Sequence, residues 1–260
     1  MTPDILCERD GEIAFVTLFN PDKLNAVTAA MWRRLRAVMD ELSADDCLRC
    51  VILRGEGRAF AAGGDIEEFQ TLRATFEQAR VYHGEWVAGA LRAVAECRHP
   101  TVAAIEGPCI GGGLEIAAAC DIRIAGEGAK FGAPIMKLGF AMFADELAGL
   151  LALAGPSTAL EILLEGRILT AGEAYDRRLV TRVVADAAVA AEALATARRI
   201  AAGAPLVART HKRLVRRLAA AARTLTEDEL RENFAFLDSA DYREGLAAFI
   251  EKRLPNFTGT

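Results

Sequence analysis

At 260 residues, 52% hydrophobic and 26% charged, the chain has enough apolar material for a sizeable core, which excludes a disordered or low-complexity protein. A net charge of −5 argues against nucleic acid or an anionic membrane as its main partner. Six cysteines in a chain of this length do not make a disulfide scaffold, and the C-x-x-C of Cys47 and Cys50 has no second pair or clustered histidine to complete a metal site.

The start, "MTPDILCERD", lacks the basic and apolar regions of a signal peptide, and the end, "NFTGT", is no peroxisomal address. The longest uncharged apolar run, Leu147 to Leu160, is broken by Pro156 and is too short to span a bilayer. A soluble cytoplasmic protein is expected. "EIAFVTLF" (Glu12 to Phe19) predicts a strand that ends in the turn signature "NPDK". From Val27 to Leu42, Met31, Trp32, Leu35, Val38, Met39 and Leu42 recur at helical spacing. "CLRCVILRG" reads as a second strand, "GEGRAFAAGGD" as a glycine-rich loop, roughly Thr75 to Ala95 as a helix, and "PTVAAIEG" as a third strand. "DIRIAG" is strand-like, and beyond about residue 135 the pattern is nearly all helix. A capping box, Thr226 with Glu229, opens a helix with Leu230, Phe234 and Leu237 on one face, and the last helix groups Tyr242, Leu246, Phe249 and Ile250. Strands alternating with helices define an α/β part up to about Ala185, followed by a helical C-terminal region.

Two glycine-rich turns, "AFAAGGDIEEF" and "GPCIGGGLEIA", each follow a strand and precede a helix. Neither matches a dinucleotide or P-loop fingerprint. Unpaired N–H groups at a helix start can instead receive a carbonyl oxygen that gains negative charge, and glycine permits the close approach. Gly112 and Glu115 are three residues apart, so a helix beginning here puts a donor and a carboxylate on one face. Two readings of Glu115 follow from the spacing, a helix cap or a proton-transfer group. The apolar neighbours Leu114 and Ile116 favour the second.

With "NPDKLNAV" (Asn20 to Val27), "AFAAGGDI" (Ala59 to Ile66), "IEGPCIGGGLEIAAACDIRIA" (Ile105 to Ala125), "KFGAP" (Lys130 to Pro134) and "FIEKRLPNF" (Phe249 to Phe257), the sequence resembles the crotonase family of enoyl-CoA hydratases and isomerases over nearly its whole length. The resemblance implies a spiral core of ββα units and a helical C-terminal oligomerisation region. It implies an oxyanion hole from the Ala62 and Gly112 amides, with Glu115 as a catalytic carboxylate. Ala26, Gly63, Gly64, Asp65, Ile66, Gly111 and Ile135 are expected to line the coenzyme A and substrate channel, and Lys252 to reach a coenzyme A phosphate. Trimers or dimers of trimers are implied, coenzyme A being part of the substrate, with no separate cofactor and no metal.

The sequence departs from the family at one catalytic position. Hydratases of the family carry a second glutamate after "FG-x-P", where this chain has Ile135. Asp145 and Glu146 follow on "KLGFAMFADELAGLL". They read either as a helix-start pair favoured by the dipole or as the source of a second acid. Ile135, Met136, Phe140, Met142 and Phe143 predict an apolar acyl pocket or core. A hydratase-like lyase leads. An isomerase, decarboxylase or hydrolase on acyl-CoA stays open, as does a catalytically silent acyl-CoA-binding subunit.

Overall fold

The structure, a computed structural model, describes residues 2–219, 227–228, 231 and 234–255. A hairpin of β1 (Asp4–Asp10) and β2 (Ile13–Phe19) opens the chain, followed by α1 (Ala29–Ala44) and β3 (Cys50–Gly55). After α2 (Phe69–Leu72) come α3 (Phe76–Val81) and α4 (Ala88–Glu96), joined by a π-helical turn, Tyr82–Val87. β4 (Thr101–Ile105), β5 (Pro108–Ile110), α5 (Gly112–Ala119), β6 (Ile122–Gly126) and β7 (Lys130–Gly132) complete the centre. The remaining elements are α6 (Ala144–Glu165), β8 (Leu169–Thr170), α7 (Ala171–Asp176), β9 (Arg182–Val184), α8 (Val189–Ala201), α9 (Pro205–Ala219) and α10 (Ala240–Glu251).

Six strands form a sheet in the order β1-β2-β3-β4-β6-β9, parallel from β2 onward, and β5-β7-β8 form a second, smaller sheet. The parallel strands are short continuous apolar runs because both faces are covered. On one face the main core packs α1, whose Met31, Trp32, Leu35 and Met39 are buried, with α4 and α5. On the other, Val189, Ala193 and Ala197 of α8 cover Ile13, Cys50, Ile52 and Val102. Ala185, near which the boundary is expected, follows the last strand directly, and the helix after it, α8, belongs to the sheet's outer layer.

The sequence pattern missed β1, whose polar, mostly exposed residues pair with β2 only because Gly11, at φ 59°, turns the hairpin. The helix expected over residues 75–95 is interrupted by the π turn, which brings the consecutive Tyr82 and His83 both to the interior. In α10, Tyr242 and Leu246 are buried while Phe249 and Ile250 are exposed, so the four do not share one environment. Thr226, Glu229 and Leu230 of the expected capping box lie outside the described residues. Among the described residues α6 alone is long and apolar enough to cross a membrane, but Gly155 (φ 73°) before Pro156 breaks it into two shorter helices.

Gly113 of α5 packs closely against the first glycine-rich loop. A Cβ there would meet the Ala61 carbonyl oxygen at 2.5 Å and the Ala61 Cβ at 2.9 Å. Gly113→Ala is expected to destabilise the fold by about 1–3 kcal/mol through overpacking. A thermal midpoint unchanged from wild type would contradict that packing.

Candidate active site

The first glycine-rich loop is fixed by hydrogen bonds from three directions. Asn25, buried at φ 59°, donates from Nδ2 to the Glu56 and Ala59 carbonyls, both at 2.8 Å, and its Oδ1 accepts from the Asn20 amide at 3.0 Å. Asn20 Nδ2 in turn donates to the Ala26 carbonyl at 2.8 Å. This clasp explains the asparagines of "NPDKLNAV". Val27 donates to Gly63 at 2.7 Å, Asp65 to Val27 at 3.0 Å, and Ile110 to Ala61 at 2.9 Å, which ties the loop to α1 and β5.

The Ala62 amide donates to the Leu24 carbonyl at 2.9 Å. It is therefore not a free donor, and the expectation that it faces a substrate oxygen is corrected. The amides of Gly64 and Gly112 make no hydrogen bond among the described residues, and a Cβ placed on Gly112 would lie 3.4 Å from the Gly64 nitrogen. Two unspent donors thus converge. The same Cβ would strike Trp32 Cζ2 at 2.8 Å, so only glycine fits at residue 112, while Gly111 takes φ 48° to begin the helix.

Both donors open on a cavity of about 610 Å³. Ala26, Ala62, Gly63, Asp65, Ile66, Gly111 and Ile135 also line it. Its apolar wall includes Trp32, Ile110, Phe140 and Met142. Met136 is 49% exposed and Phe143 stacks on Phe234 with ring centroids 5.4 Å apart, so neither belongs to that wall. At the exposed mouth Lys23 bonds Asp65 at 2.9 Å and Glu67 at 2.7 Å, and Lys137 and Phe249 stand nearby. Lys252 is absent from the lining. It ends α10 in the left-handed conformation, φ 55°, and is exposed.

Buried in the cavity are Glu115, 8% exposed, and Glu146, 5% exposed. The structure separates the two acids at the start of α6. Asp145 points outward to Arg92 at 3.2 Å, whereas Glu146 turns in beside Glu115. Glu115 makes no side-chain hydrogen bond among the described residues. Glu146 Oε1 lies 2.6 Å from His83 Nδ1, and His83 Nε2 lies 2.9 Å from Arg73 Nη1. The histidines, scattered in the sequence, thus include one in a buried relay. Nothing local marks it, since Glu146 is 63 residues away, and only the π turn aims His83 inward.

Burial drives the ionisation of this cluster. It raises the Glu115 carboxyl well above the ordinary carboxylate range, and the charge of Glu146 adds to the effect. Burial likewise pushes Glu146 up to about 8, although Arg73 and the Phe143 amide pull it down. His83 is held well below its usual value by burial and by Arg73, so its ring is neutral.

An apolar cavity with two convergent backbone donors and two buried carboxyls holds the kinds of group that can stabilise an oxyanion and move protons on neighbouring carbons. Comparison with known proteins agrees. The family profile described as enoyl-CoA hydratase/isomerase matches residues 8–260, and the chain belongs to that family. A probable enoyl-CoA hydratase of Mycobacterium bovis is 38% identical over 257 residues, covering 98% of this chain and 97% of that one. A crystal structure of an enoyl-CoA hydratase/carnithine racemase from Magnetospirillum magneticum is 52% identical, with a TM-score of 0.81 over 98% of this chain and 96% of that one. A methylmalonyl-CoA decarboxylase in complex with 2-nitronate-propionyl-CoA superposes with a TM-score of 0.88 at 27% identity, covering 98% of each chain. The fold is the crotonase α/β fold, and the chain is an enzyme of this family.

The raised carboxyls give stability a sign. Above about 4.5 the unfolded chain releases the Glu146 proton, while the folded protein keeps it to about 8. The unfolded state then binds fewer protons, so this group's contribution is complete below the lower value and is lost as pH rises through the upper one. Thermal midpoints measured across that window should decline with pH more steeply in wild type than in Glu146→Gln. Parallel curves would refute the buried, raised carboxyl.

Proposed function

We propose that the chain adds water across the double bond of a 2-enoyl-CoA thioester and catalyses the reverse dehydration. The observation that carries this reading is the placement of two unspent amides, Gly64 and Gly112, in one apolar cavity with two adjacent buried carboxyls. The thioester oxygen lies between the amides. Each such donor contributes on the order of 3 kcal/mol as the oxygen becomes enolate-like. Glu115, one turn from Gly112, stands beside the α-carbon, and Glu146, on the next helix, serves the β-carbon. Water's oxygen bonds to the β-carbon as Glu146 takes its proton. The electron pair then returns from the enolate, and Glu115 delivers a proton to the α-carbon. A proton passing from Glu146 to Glu115 closes the cycle.

Ile135 is an apolar wall in this scheme, and Glu146 fills the role of the second acid from a different element. Decarboxylation, the reaction in the name of the methylmalonyl-CoA relative, fits less well. A substrate carboxylate beside the thioester would meet two carboxyls already in the cavity. In this reading coenzyme A meets Asp65 and Ile66, with Lys23 and Lys137, which line the cavity's mouth. The exposed apolar side chains Leu160, Leu164, Ile168 and Tyr175 support assembly into a trimer or dimer of trimers, where Lys252 is available to a neighbouring subunit's channel.

Glu115→Gln and Glu146→Gln are each expected to lower kcat for crotonyl-CoA hydration by about 10²–10⁴-fold with coenzyme A binding retained. Asp145→Asn should stay near wild type. Double-bond migration without hydration would favour an isomerase. No turnover by wild type across a panel of enoyl-CoA thioesters, with binding intact, would leave a silent binding subunit.

A further inference from the structure

Two buried glutamates side by side are chemically alike, yet the reaction proposed above needs one ionised and the other protonated. The surroundings of Glu146 supply the difference. Arg73 Nη1 lies 2.9 Å from His83 Nε2, and a guanidinium can only donate. Nε2 is therefore the acceptor, the proton of the neutral ring sits on Nδ1, and Nδ1–H donates to Glu146 Oε1 at 2.6 Å. Arg73 is itself fixed. Its Nε donates to the Tyr242 hydroxyl of α10 at 3.1 Å, and its guanidinium lies 3.5 Å from the Phe69 ring centroid and 4.1 Å from that of Phe140. Glu115 has no comparable donor among the described residues.

We propose that His83 is a positioning residue which, locked by Arg73 in its Nδ1–H tautomer, makes Glu146 the first of the pair to ionise and leaves Glu115 the acid. Only the step this serves rests on the hydration reading. The tautomer and the division of charge are properties of the free protein. The charged and titratable groups around Glu146 act in opposite senses. Arg73, the His83 N–H and the Phe143 amide favour the anion, while Glu115 of α5 and Asp145 of α6 oppose it, the latter paired with Arg92 of α4. Tyr82, on the same π turn as His83, stays neutral because burial raises its hydroxyl.

The first test needs no variant. The chain has three histidines, so ¹⁵N-histidine NMR can assign the ring of His83. A neutral ring protonated at Nδ1 from about pH 6 to 9 is expected. A ring protonated at Nε2, or an imidazolium, would overturn the proposal, and this measurement decides even if a variant fails to fold. The second test follows buried carboxyl bands by infrared titration. The earliest ionisation in the wild-type cavity should vanish in Glu146→Gln. It should move up by about one pH unit or more in His83→Phe, which removes the donor. His83→Gln, able to accept from Arg73 and donate to Glu146, should restore it. Crotonyl-CoA hydration by His83→Phe should lose about tenfold or more in kcat, with its acidic limb displaced the same way and KM within about twofold of wild type. A carboxyl titration unmoved in His83→Phe would refute the positioning role. Absence of hydration in wild type, with tautomer and infrared shift as expected, would refute the hydration reading alone.

Discussion

Holding two carboxyls side by side in an apolar interior is the constraint on which the site depends. Each alone resists ionisation there, and together they resist it more, because the first charge opposes the second. The fold meets this with helix starts. Glu115 is in the first turn of α5 and Glu146 in the first turn of α6, where unpaired N–H groups and the positive end of the dipole favour negative charge. α5 packs against α6, and the two glutamates line one cavity. The same end of α5 carries the Gly112 amide, so one helix terminus brings both an unspent backbone donor and a buried carboxyl to the cavity.

That geometry requires a backbone that comes very close to other backbone. Gly111 takes a left-handed conformation, Gly112 leaves no room for a side chain beside Trp32, and Gly113 sits against the Ala61 carbonyl. On the opposite side the loop carrying Gly64 has little regular structure of its own. Asn20 and Asn25 replace it, with four side-chain hydrogen bonds that satisfy buried backbone groups. The pairing of Ala62 with Leu24 belongs to this clasp, and it leaves the next available amide facing the cavity at Gly64.

What could be read in the sequence follows from whether its cause is local. Strand runs, the α1 periodicity and the triple glycine followed by glutamate are local signals, and each appears where expected. The free amide could not be read, because whether Ala62 or Gly64 is spent depends on Leu24, far away in the chain. Asp145 and Glu146 look equivalent as neighbours in sequence, and only the rotation of α6 over α5 sends one to Arg92 and the other to Glu115. The relay through His83 and Arg73 joins residues from four elements and leaves no trace in spacing.

The second buried carboxyl of the cavity stands at residue 146 and not at residue 135, and the two positions differ physically. Residue 135 lies in a short 3-10 turn, Pro134–Leu138, which ends at Gly139. Glu146 lies at the third position of a long helix, with its own carboxyl drawn to the Phe143 amide and an aromatic-packed imidazole against one oxygen. Its rotamer and proton are thus set by the protein's interior rather than by solvent. The isoleucine is consistent with this arrangement, since an apolar side chain at 135 adds no third carboxyl to a cavity in which the first charge already opposes the second.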